Sequence, residues 1–104
     1  MAISNYILST SPANIFVSSG GANVISTMHF CNNHDNTVIL NVYALPNGQT
    51  VANTTNRIYA NLQITSGDTY VVDMEKIVLG NGDKIAASAS NADVMTATVS
   101  YVGV

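Results

Sequence analysis

Apolar and polar side chains alternate with a period of two residues over several stretches of this chain. Because successive residues of a β-strand point to opposite faces, this period is typical of strands with one buried face. Val, Ile, Thr and Tyr, which favour strands, dominate these stretches. The alternation covers residues 24–31, 37–44, 58–64 and 94–101.

The alternation also assigns side chains to faces. In the first stretch it places Val24, Met28 and Phe30 on one side, and in the third it places Ile58 and Leu62 together. We expect each stretch to form a strand with one buried face.

Turn residues separate the strands at short intervals. Gly and Asn adopt positive φ readily, and Asp or Ser can bond to its own backbone. Asn81-Gly82 is a strong signal for a hairpin between the strands on either side of it. The predicted strands are 2–8, 13–18, 23–31, 37–45, 57–64, 69–79 (which can also be divided in two), 84–90 and 94–103.

These about eight strands, spaced by about ten residues, predict an all-β fold. We expect an antiparallel β-sandwich, jelly-roll-like or Ig-like, forming a single domain over residues 1–104. Residues 46–57 form the longest stretch without alternation and are predicted to be a surface loop.

Charge is scarce in this chain. Charged residues make up 9% of the sequence, and the net charge is −3, whereas about 25% charged residues is typical. The cations are Arg57, Lys76 and Lys84, too few to bind nucleic acid or an anionic membrane surface. An uncharged polar surface loses little hydration energy on contact with another protein, which favours a domain that works in an assembly.

The sequence also indicates where the chain folds. Cys31 is its one cysteine, so no internal disulfide can form. The first residues lack the basic start and long apolar run of a signal peptide, and no apolar run approaches the ~20 residues of a membrane span. We therefore expect folding in a reducing cytoplasm.

The sharpest cluster of reactive side chains is His29, Cys31 and His34. On a strand, His29 and Cys31 share a face, and His34 could fold back from the following turn. These side chains are weak candidates for transition-metal ligands, because their spacing matches no established zinc pattern. A structural role is the favoured interpretation, so we expect no metal and no cofactor.

No catalytic site is predicted. Asp73 and Glu75 share a strand face, but nothing marks a cleft that would hold a substrate between them. Cys31 beside a histidine is not arranged as a nucleophile and its base. A Ca²⁺ site of turn Asp and Asn residues stays an alternative, and the tyrosines and phenylalanines are assigned to packing.

Several segments resemble a family of small virion proteins of tailed bacteriophages, notably those that infect cyanobacteria. The resemblance covers most of the chain, although Gly103 stands where family members often have Glu. The segments that carry it are Val24–Asn32, Thr37–Gly48, Ile58–Ile64, Asp68–Leu79, Asn81–Ala87 and Ala97–Val102.

The resemblance implies a non-enzymatic component of the virion that forms homo-oligomers, commonly trimers. We expect a capsid decoration or cement protein that contacts other virion proteins such as the major capsid protein. The alternatives are a neck, tail or baseplate component and a fibre-borne module that binds carbohydrate or the host surface. Ile3, Ile7 and Leu8 of the first strand are candidates for pairing with a neighbour's sheet edge.

Overall fold

Nine strands and no helix occur in the computed structural model, which describes residues 2–72 and 77–103. They are β1 (Ala2–Ile7), β2 (Ala13–Val17), β3 (Asn23–Asn32), β4 (Val38–Leu45), β5 (Arg57–Ile64), β6 (Thr69–Val72), β7 (Ile77–Leu79), β8 (Lys84–Ala89) and β9 (Met95–Gly103). The predicted all-β class is confirmed.

The strands form two antiparallel sheets packed face to face. Sheet A has the order β1-β9-β3-β6, with β7 also pairing with β3, and sheet B has the order β2-β8-β4-β5. β6 and β7 are two short strands that pair with different parts of β3, so together they take the place of one strand. The predicted division of residues 69–79 into two strands is observed.

The strand pairing is nested. The first strand pairs with the last, β2 with β8, β3 with β6 and β7, and β4 with β5. This is a long antiparallel ribbon folded over itself, the arrangement of a jelly roll rather than the ABED and CFG sheets of an Ig domain.

One hydrophobic cluster fills the space between the sheets. Phe30 and Met28 of sheet A and Leu40 and Ile85 of sheet B are fully buried in it. Two aromatic pairs link the sheets directly. Ring centroids lie 4.4 Å apart for Phe16 and Tyr101, and 6.1 Å apart for Tyr59 and Tyr70, which agrees with the predicted packing role of the aromatics.

Two irregularities change which side chains face the core. In β3 the register with β9 shifts at Ser26, so Ile25 is buried and Val24 is not. In β5 the register with β4 shifts near Asn61, so Tyr59 packs against the core and Ile58 is exposed. Val24 therefore does not share the buried face with Met28 and Phe30, nor Ile58 with Ile64, because one inserted residue reverses the alternation.

The predicted hairpin at Asn81-Gly82 is also wrong. The turn forms, with Asp83 N donating to Gly80 O at 3.1 Å and Gly82 at φ 88°. However, β7 pairs with β3 in sheet A, and β8 pairs with β2 and β4 in sheet B. The turn residues determine only that the chain reverses direction. Because β8 pairs with β2 and β4, the turn connects sheet A with sheet B instead of joining two paired strands.

Candidate functional site

The predicted ligand cluster is not assembled. His29 and Cys31 lie on the outer face of sheet A, opposite Thr98 and Thr96 of β9. His34 lies in the following loop, with its Nδ1 3.4 Å from Asp35 Oδ1. Among residues 2–72 and 77–103, no three His, Cys, Asp or Glu side chains are grouped to hold a metal ion. Asp73 and Glu75, the carboxylate pair, lie outside the described residues.

An open concavity of about 460 Å³ lies beside this loop. Several of its polar groups already bond within the protein. Ser66 Oγ donates to His34 O at 2.8 Å, and Cys31 Sγ donates to Asn33 Oδ1 at 3.7 Å. The lining residues are Cys31, Asn32, Asn33, His34, Asp35, Ser66 and Gly67. They include no Trp, Tyr or Phe side chain on which a sugar ring could stack.

Asn32 holds this end of the sandwich together. Its side chain is fully buried. Its Nδ2 donates to Asn36 O at 3.0 Å and to Ile64 O at 2.8 Å, and its Oδ1 accepts from His34 N at 2.8 Å. Three hydrogen bonds on one buried amide identify a structural residue rather than a ligand-binding one.

The outer face of sheet A is a broad surface on which no other described strand packs. Its cross-strand rows contain no Asp, Glu, Lys or Arg in the part that the structure describes. The rows are Ile7–Thr96–Cys31–Thr69, Asn5–Thr98–His29–Val71 and Val102–Val24–Val78. Exposed apolar residues occur at both margins, with Ile3 64% and Val78 67% exposed.

The outer face of sheet B differs, because the loop of residues 46–56 lies over it. Ala52 packs against a small cluster of Tyr43, Leu45 and Ala86. Lys84 Nζ donates to Gln49 O at 2.8 Å. The predicted loop is thus present at the surface and acts as a cover, and sheet A has no such cover among the described residues.

The four edges of the two sheets, formed by β1, β2, β5 and the pair β6 and β7, differ in how well they are protected from pairing with another chain. β2 and β5 have irregular registers, and β5 begins with Arg57. β6 and β7 are short pieces of four and three residues. β1 is continuous over six residues, pairs with β9 in unbroken register and carries no charge. Bulges, charges and shortness are devices that discourage edge pairing, and β1 has none of them.

The three predicted edge candidates separate in the structure. Ile3 and Ile7 are exposed, at 64% and 48%. Leu8 is fully buried and belongs to the core, so it is not available to a neighbour. Tyr6, which the sequence did not single out, is 41% exposed although it lies on the side of β1 that faces the core. Its position next to an open edge explains that exposure.

No helix in residues 2–72 and 77–103 is long and apolar enough to cross a membrane. Comparison of the chain with protein-family models, with curated proteins and with solved structures finds no match.

Proposed function

We propose that this chain is a non-enzymatic structural protein of a virus particle. In this proposal it is a capsid decoration or cement protein that stabilises the head shell. It assembles in the host cytoplasm, packs against copies of itself, and contacts other virion proteins such as the major capsid protein.

The observation that carries the proposal is the outer face of sheet A, which is uncovered and free of Asp, Glu, Lys and Arg over residues 2–72 and 77–103. In the cross-strand rows given above, its outward side chains are Thr, Val, Ile, Asn5 and Cys31, with His29 near the centre. Moving such a surface out of water requires no buried charge, so contact with another protein has a low desolvation cost. Interface cores are likewise depleted of charged residues.

The use of the polar side chains supports a structural role. Asn56 accepts from Asn53 N at 2.9 Å and donates to Val51 O at 3.0 Å, which fixes the loop over sheet B. Asp83 accepts from Asn47 N at 2.7 Å and from Gly80 N at 2.9 Å, which joins two loops at one end. These groups are used for holding loops in place.

Quantitative mass spectrometry of purified particles of the encoding virus tests the proposal. We expect roughly hundreds of copies per particle for a shell component, whereas about six to eighteen copies would indicate a neck, tail or baseplate component. Absence of the chain from purified particles would refute the proposal. Binding of the labelled protein to host cells or glycans would favour the fibre-borne module instead.

A pair of matched variants locates the contact face. Val71 of sheet A and Ile58 of sheet B are both exposed to 43%. Val71→Asp introduces a carboxylate on the uncovered face, so we expect it to lower incorporation into particles about tenfold or more. Ile58→Asp is the control and should incorporate normally. Equal incorporation of both variants would contradict a contact through sheet A.

A further inference from the structure

Some backbone N–H and C=O groups of β1 point away from β9 and are available for pairing with another strand. Leu8 N donates to Met95 O at 2.8 Å, in the same register that pairs β1 with β9. Because the backbone groups of alternate residues in a strand point to opposite sides, this bond sets the phase for the strand. Ile3, Asn5 and Ile7 therefore direct their N–H and C=O groups to the open edge.

We propose that the β1 strands of two copies of this chain pair antiparallel across a two-fold axis that passes beside Asn5. Sheet A of each copy then continues into sheet A of the other. This inference rests on the proposed assembly role and deepens it by naming a second copy as the partner and β1 as the contact.

Symmetry restricts the register. Residues directly opposite each other in an antiparallel pair point to the same face, so outward residues must meet outward residues. Two registers meet this condition and overlap five residues of β1. The one that also brings Ile7 into the pairing places Ile3 opposite the partner's Ile7, and Asn5 opposite the partner's Asn5. All three residues are also those with free backbone groups, so the pairing forms six hydrogen bonds, two for each opposed pair.

The side chains are complementary to themselves in this register. Ile3 and Ile7 form an apolar contact on each side of the axis, and both are largely exposed in the single chain. Asn5 has donors and an acceptor, so two copies can bond to each other beside the axis. Its Oδ1 already accepts from Thr98 Oγ1 at 3.0 Å, which holds the side chain on the outer face.

The distribution of charge makes β1 a part of the surface at which two copies can meet. The chain has a net charge of −3, so two copies repel each other over most of their surface. Residues 2–8 carry no charge, and neither do the residues of β9 that pair with them. Two copies can therefore meet along β1 without bringing like charges together.

The contact is small, below the about 1,200 Å² at the low end of specific interfaces, so we expect a dimer that dissociates at micromolar concentrations. Sedimentation of the purified chain over a concentration series measures this. A chain that stays monomeric at about 1 mM, or one that forms a trimer, would overturn the two-fold pairing.

A charge swap at Asn5 tests the register. Asn5→Asp and Asn5→Lys each place like charges opposite each other. For each variant alone, we therefore expect the dissociation constant of the dimer to rise about tenfold or more. An equal mixture of the two variants brings opposite charges together and should recover dimerisation. Asn14→Asp and Asn14→Lys, on an exposed residue of β2, are the controls and should behave as the unchanged chain does.

A dimer that is insensitive to both Asn5 variants, or variants that show no recovery on mixing, would refute the pairing. Denaturation midpoints equal to that of the unchanged chain establish that the variants are folded. These results come from the purified chain, whereas copy number comes from particles. The pairing and the virion role can therefore fail independently.

Discussion

At the residue scale, buried amides and turn glycines determine how the loops sit on the two sheets. Asn32 is the clearest case, because one side chain joins the end of β3, the loop after it and the end of β5. Among the buried side-chain polar atoms that the structure describes, none lacks a hydrogen-bond partner. Removing such a residue leaves several buried groups without partners.

We expect Asn32→Ala to lower the free energy of unfolding by about 2–4 kcal/mol, because three backbone groups lose their bonds. Urea denaturation followed by circular dichroism measures this change. Asn33→Ala is the matched control, since Asn33 is exposed. Its Nδ2 donates to Thr96 Oγ1 at 3.1 Å and its Oδ1 accepts from Cys31 Sγ at 3.7 Å, and neither bond involves a backbone group. This variant should cost under about 1 kcal/mol. Equal losses would show that Asn32 is not a structural anchor.

Gly82 combines a positive φ with a close neighbour. A Cβ at this position would lie 2.5 Å from Asn47 Cγ, whereas a Cβ on Gly67, at φ 76°, would meet nothing within 4 Å. Both Gly→Ala variants incur the left-handed strain of about 1–2 kcal/mol. We expect Gly82→Ala to cost about 0.5–1 kcal/mol more, because it displaces Asn47. Thermal denaturation of the two variants side by side tests this, and equal melting temperatures would contradict it.

At the element scale, the loop of residues 46–56 distinguishes the two faces of the sandwich. It is held by Asn56, which bonds to three other residues of the loop, and by Ala52, which packs on sheet B. The loop is thus a fixed cover rather than a free connection. The hydrogen bonds of the Asn56 side chain within the loop are separate from the strand pairing of sheet B, so a mutation can remove the first without the second.

We expect Asn56→Ala to increase amide hydrogen exchange across residues 46–56 by about tenfold or more while the strands of sheet B keep their protection. The bonds to Asn53 N and Val51 O are lost, but the backbone bond from Ala44 N to Asn56 O at 2.8 Å remains. Thr54→Ala, at an exposed position, should leave exchange unchanged. Uniform loss of protection over sheet B would contradict an independent loop.

The elements also show how far sequence reasoning reaches. Apart from the sixth, every predicted strand agrees with the structure within one residue at each end, because alternation and turn chemistry are local properties. The shifts at Ser26 and Asn61 were missed, since an inserted residue leaves the composition of a strand unchanged. The sheet that contains β8 was also not predictable, because its partners are distant in sequence.

The same limit applies to the candidate site. The edge strand β1 and its exposed Ile3 and Ile7 were predictable from their position and composition. Leu8 is buried and Tyr6 is exposed because of their positions relative to the opposite sheet. The local sequence pattern does not contain that information. His29 and Cys31 share a face as predicted, yet His34 does not join them in a ligand group.

At the scale of the whole molecule, both sheets share one core, and charge is distributed unevenly around it. Arg57 and Lys84 belong to sheet B, while Asp35, Asp68 and Asp93 lie in loops at one end of the sandwich. The cross-strand rows on the outer face of sheet A contain no Asp, Glu, Lys or Arg among the residues that the structure describes. The shared core predicts that the two sheets unfold together.

Leu40→Ala tests this cooperativity. Leu40 is fully buried in sheet B, and its truncation should cost about 2–5 kcal/mol. Because one cluster joins the sheets, the most protected amides of sheet A should lose the same free energy of exchange as those of sheet B. Ile39→Ala, the half-buried neighbour on the outer face, should cost less. A loss confined to sheet B would refute a common core.

The nested pairing has a consequence for the way the chain folds. Ala2 pairs with Tyr101 and Ile7 with Thr96, so the contact order is high and refolding should take milliseconds to seconds. During synthesis at about 5–20 residues per second, β1 waits roughly 5–20 s for β9. An uncharged strand without its intramolecular partner is most open to pairing with another chain during that interval.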